Sequence, residues 1–201
     1  MRSVNRSLQA PLIVQWRPPD RKLFSAAQGE HSWAQTLISI LHPYQRDIQS
    51  ALQDLREREF KAGRYDPAMQ TADPPRYTFQ MRFPPDESWP APGAQHASIK
   101  EAIEASEESG TGSILDLSRV GTEPDFFTVC PLDDQELIQL FGTTKPTRDL
   151  LESVLINPRP DSAHKAAGLF WEQIDRGQGR YIVIYLGAEP REIFFVGYSF
   201  D

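Results

Sequence analysis

Carboxylates are the side chains of this sequence best supplied for chemistry. Asp116 lies inside the apolar run Ile114-Leu115-Asp116-Leu117. A carboxylate set among apolar residues either finds partners or has its pKa moved, which suits a general acid or base and equally a residue paired with arginine. Asp133, Asp134 and Glu136 stand just ahead of an apolar helical run. There they satisfy free N–H groups and complement the helix dipole. No histidine is near enough in sequence to complete a mixed ligand set, and the spacing is not that of a calcium loop, so no metal is expected.

The single thiol, Cys130, would need a base and a lowered pKa to act as a nucleophile. His31, His42, His96 and His164 show no spacing that pairs one of them with it. Cys130 follows Phe126-Phe127-Thr128-Val129, where a buried small hydrophobe is expected. Gly110-Thr111-Gly112-Ser113 and Gly177-Gln178-Gly179 have the glycines of phosphate-cradling loops, but each leads from a helix into a strand. The reverse order is what aims a helix N-terminus at an anion, so no cofactor is expected.

Composition narrows the classes. The 201 residues are 39% hydrophobic and 24% charged, with a mean hydropathy of −0.49, as in a globular protein. The apolar run Pro11-Leu12-Ile13-Val14 is too short for a secretory core, and no stretch approaches the roughly 20 residues of a spanning helix. A cytoplasmic protein with no membrane segment is the expectation. The net charge of −7 is split unevenly. Residues 1–97 carry 12 Lys and Arg against 10 Asp and Glu, whereas residues 98–201 carry 9 against 18. Neither half has the basic cluster that a phosphate backbone requires, so nucleic acid is not an expected partner.

The elements that must position these residues follow from periodicity. Residues 1–30 read as an arm, and 31–201 as a single domain. From Ser32, the spacing of Trp33, Leu37 and Leu41 predicts a helix that kinks or restarts at Pro43. Tyr44, Ile48, Leu52, Leu55 and Phe60 continue the stripe to Gly63, leaving one wet side with Asp54/Arg58 and Glu57/Lys61 pairs. Residues 76–83 alternate as a strand, and 84–92 form a Pro-rich loop. A capping box at Ser98 predicts a helix to Gly110; strands follow at 113–120 and 126–130. Three more helices are expected: Asp133 to Gly142, one opened by Thr144, Pro146 and Thr147, and one from Ser162 to Arg176. The runs 180–186 and 192–198, apolar on both faces, predict a central hairpin.

The fold class is therefore α+β, an antiparallel or mixed sheet of about four to six strands with helices packed against it. Two functions are open. The favoured one is a non-catalytic interaction module (an inhibitor, immunity-type or adaptor protein) that offers an acidic C-terminal-half surface, Glu104, Glu107, Glu108, Asp133, Asp134 and Glu136, to a basic protein partner. The alternative is a small hydrolase whose carboxylate and histidine site a linear sequence does not bring together.

Overall fold

The computed structural model describes residues 37–71, 91–156 and 162–200. The arm at 1–30, the strand expected at 76–83 and most of the Pro-rich loop lie outside them. The described chain is α+β, with a five-stranded mixed sheet ordered β1-β5-β4-β3-β2. Strand β1 is Leu37–Pro43, β2 Arg119–Val120, β3 Thr128–Pro131, β4 Gln178–Leu186 and β5 Glu189–Tyr198. Helices are α1 (Ile48–Ala62), α2 (Ile99–Ala105), α3 (Asp134–Phe141), α4 (Arg148–Leu151, running into a π turn at Glu152–Ile156) and α5 (Ser162–Glu172).

The expected C-terminal hairpin is at the centre. β5 pairs antiparallel with β1 and β4, and β4 pairs parallel with β3. Ile193, Phe194, Phe195 and Val196 are fully buried because both sheet faces are covered. One face carries Phe194, Val196, Ile182 and Ile184 against Phe141, Leu151 and Phe170 of α3 to α5. The other carries Ile38, Ile40, Ile193 and Phe195 against Leu52 and Leu55 of α1. Each such side chain contributes about 1.5–3 kcal/mol on burial, so this hairpin anchors both layers. Gly179 and Gly197 face each other across β4 and β5. A Cβ on Gly179 would come within 2.6 Å of Leu117 Cδ1, and one on Gly197 within 2.4 Å of Gln178 O. Gly179 lets Leu117 lie directly on the sheet, and Gly197 leaves room for the backbone of β4 beside it.

Two expected elements are corrected. The helix from Ser32 is absent over Leu37–Pro43, which is strand β1, with Ile38, Ile40 and His42 turned inward. Leu37 and Leu41 fit a period of two as well as four, and the β-branched pair Ile38/Ile40 favours the pleated alternative. The strand at 113–120 is instead a 3₁₀ turn, Ile114–Asp116, before the two-residue β2. Ser113 Oγ accepts from Leu115 N–H and Asp116 accepts from Thr111 N–H, so local side-chain bonds take the backbone out of the ladder. The expected ends of α2 and α5 also draw in: α2 gives way to a 3₁₀ turn at Glu107–Ser109, and α5 stops at Glu172.

β2 and β3 are parallel although only residues 121–127 join them. A parallel crossover usually needs a dozen residues or more. This short link works because β2 is two residues long and because Phe127 takes a left-handed turn, φ 58°, just before β3. Arg119 braces the link, donating to Phe126 O and Thr128 Oγ1 and pairing with Asp125.

Candidate interaction site

The six acids are placed on different layers. α2 packs through Ala102 against Phe60, Tyr65 and Leu115, on the α1 side of the sheet, whereas α3 packs on the opposite face. Glu104 and Glu107 are therefore separated from Asp133, Asp134 and Glu136. The side chain of Glu108 lies outside the description.

Several of these acids already have partners. Glu104 pairs with Lys100 at 3.4 Å. Asp133 caps α3, accepting from Glu136 N–H at 2.7 Å, and Glu136 returns the bond to Asp133 N–H at 2.7 Å, a complete capping box. Glu136 also holds Arg180, whose side chain is nearly buried on β4. Asp134 and Glu107 remain, each exposed and with no ion pair or hydrogen bond among the described residues.

Each of these two lines a cavity. Glu107 borders one of about 230 Å³ with Asp66, Gln70 and Ser109. Asp134 borders one of about 220 Å³ with Leu132, Leu137, Thr144, Val183 and Tyr185. The second is built by a mismatch of lengths. β4 has nine residues and β3 four, so the ladder between them ends at Pro131 opposite Tyr181. Beyond it, Leu132 N–H reaches Tyr181 O at 3.4 Å, and Tyr185 N–H reaches Pro146 O at 2.9 Å. Residues of a strand alternate in direction, so the N–H and C=O of Val183 face the same side, and no partner meets them among the described residues. Lys145 Nζ sits 5.6 Å from the centroid of the Tyr185 ring. Burial pushes the Tyr181 hydroxyl pKa up.

The remaining chemical candidates are held internally. Asp116, 5% exposed, accepts from Thr111 N–H at 3.0 Å, Thr111 Oγ1 at 2.7 Å and Phe200 N–H at 3.3 Å. Donors of the Gly110–Ser113 loop thus serve a carboxylate of the chain itself. Cys130 is buried, with Sγ 3.8 Å from Gly179 O, and burial pushes its thiol pKa up, which disfavours the thiolate; Arg180 opposes this in part. His42 is buried under α1, and His96 contacts the Tyr65 hydroxyl at 2.9 Å. His31 and the side chain of His164 are outside the description. Among the described residues no cluster of three or more His, Cys, Asp or Glu could hold a metal ion, and no helix is long and apolar enough to cross a membrane.

Two surface features escaped the sequence reading. The notch at Val183 was signalled only by the unequal lengths of runs 126–130 and 180–186. Phe126 and Phe127, expected inside a strand, are 51% and 42% exposed. With Phe200 they form an aromatic group whose centroids lie 5.5–6.2 Å apart. No family model matches the sequence, and neither a curated protein nor a solved structure matches it.

Proposed function

We propose that this chain is a non-catalytic, cytoplasmic interaction module of the inhibitor, immunity-type or adaptor kind, which binds a basic protein partner through its acidic C-terminal half. The observation that carries this reading is the pairing pattern of the acids. In a half that holds 18 acidic against 9 basic residues, Glu107 and Asp134 are the two of the named acids with no ion pair or hydrogen bond among the described residues, and each stands at the rim of a concavity. Unpaired rim charge steers an oppositely charged partner toward the surface. Glu104 and Glu136 are offset by Lys100 and Arg180, while Asp133 adds its charge beside Asp134.

The test is the salt dependence of association with a partner recovered from host cells at low salt. The association rate falls at least about tenfold between roughly 0.05 and 0.5 M salt as the Debye length shortens. Glu107→Lys and Asp134→Lys slow it further, and neither residue is a helix N-cap. A rate indifferent to both salt and charge reversal overturns the proposal and makes the acids a solubility feature.

A further inference from the structure

We propose that the notch beside Val183 is a docking slot for a short extended segment of the partner that presents an arginine or lysine to Asp134. The slot rests on the basic-partner reading and gives that partner a definite point of attachment. Three features of the notch specify its occupant.

The first is the open strand edge. Between the bonds at Tyr181 O and Tyr185 N–H, a span of about 13 Å at the usual strand rise, only Val183 has its N–H and C=O unanswered among the described residues. A half-buried backbone amide without a partner is costly, and an extended chain laid alongside supplies both a donor and an acceptor. The second is the lining. Leu132, Leu137 and Val183 give apolar walls, and about 220 Å³ is below the roughly 300–1,000 Å³ usual for small-molecule sites. The space suits one side chain with its flanking peptide groups.

The third is the charge along the slot. Asp134 stands at the end where Leu132 leaves β3, next to Asp133 and Glu136, which are both committed to the capping box. Lys145 stands at the other end, over Tyr185. A negative entrance and a positive far end fix the orientation of the guest, with its cation at Asp134. An arginine fork matches a free carboxylate with two parallel hydrogen bonds.

The experiment is a titration of the ¹⁵N-labelled full chain with the pentapeptide acetyl-TVRVT-amide, followed by amide shifts. The Val183 amide moves together with those of Leu132 and Asp134. The glutamate analogue acetyl-TVEVT-amide binds about tenfold more weakly or worse, and Asp134→Asn weakens the arginine peptide by about tenfold. An arginine peptide N-methylated at each backbone nitrogen, which leaves the protein untouched, also loses binding. Equal binding of the arginine and glutamate peptides, shifts centred elsewhere, or an Asp134→Asn protein that binds as the parent does would overturn the slot. Deca-arginine separates the two proposals. If it binds with strong salt dependence, and Glu107→Lys weakens it while Asp134→Asn does not, the slot falls and the basic-partner reading stands. If it binds no form of the protein at about 0.05 M salt, both fall.

Discussion

Gln49 stands in for a sixth strand at Val120. Its Oε1 accepts the Val120 N–H at 2.8 Å, while its Nε2 and that of Gln53 donate to Ser118 O at 3.3 and 2.8 Å. One helical turn further, Arg56 donates to Leu115 O at 2.9 Å. Part of the polar side of α1 is thus spent closing the β2 edge, which would otherwise invite another chain. Gln49→Ala costs about 1–2 kcal/mol by leaving a partly buried N–H unpaired, read as a lower urea midpoint. Hydrogen exchange at Val120 speeds up in the same variant; an unchanged midpoint and exchange rate would show that water replaces the glutamine without loss.

Asp116 ties the 111–116 turn to the far end of the chain through Phe200 N–H. Asp116→Asn keeps the shape but replaces an acceptor oxygen with a donor, facing N–H and O–H groups that need acceptors. The expected cost is on the order of 3 kcal/mol, as for other broken buried charge networks, measured by chemical denaturation. A loss below about 0.5 kcal/mol would mean that the network contributes little.

His42 makes stability depend on pH. Burial lowers its pKa from 6.5, the nearby Arg58 lowers it further, and Asp54 opposes them. Its Nε2 lies 3.3 Å from Gln45 Nε2, and its Nδ1 has no hydrogen-bond partner among the described residues. The unfolded chain therefore takes up a proton before the folded one does. The contribution of His42 is complete above the unfolded value of 6.5 and is lost as pH falls through the lowered folded value. Melting temperatures recorded from pH 7.5 to 5 should drop more steeply for the parent than for His42→Gln, and parallel curves would refute the assignment.

Cys130→Ala removes a buried thiol whose sulfur makes only a long contact to Gly179 O. The expected cost is about 1 kcal/mol, with partner binding unchanged. In the parent, alkylation by iodoacetamide is slow until the chain unfolds; fast labelling of the folded protein would contradict the burial.

The hairpin was legible because its sequence carries β-rich runs, the turn residues Gly187-Ala188-Glu189-Pro190 between them and apolar residues on both faces; the structure narrows the loop to Gly187-Ala188, with Glu189 and Pro190 already in β5. Capping signals placed α3 correctly for the same reason, since Asp133 and Glu136 act within four residues of each other. β1 was misread because Leu37 and Leu41 satisfy two periods, and only pairing with β5 decides between them. The notch at Val183 left only one trace in the sequence, the unequal lengths of two runs. It is a difference in length between two strands brought together by three intervening helices, and the paired or unpaired state of each acid depends on those same distant contacts.

The order of strands across the sheet also bears on how the protein is made. β5 is the last strand in sequence, yet it lies between β1 and β4, and Leu37 at the start of β1 has Tyr198 as its register partner. On the ribosome, β1 must wait for almost the whole described chain before its own neighbour exists. Until then Ile38 and Ile40, fully buried in the finished sheet, have α1 to pack on but no strand to pair with. Such long-range closure slows folding and leaves nascent apolar strands exposed to chaperones and to one another. A ribosome paused before residue 190 would hold a chain with the caps of α1 to α3 already synthesised and a sheet that cannot yet join its two halves.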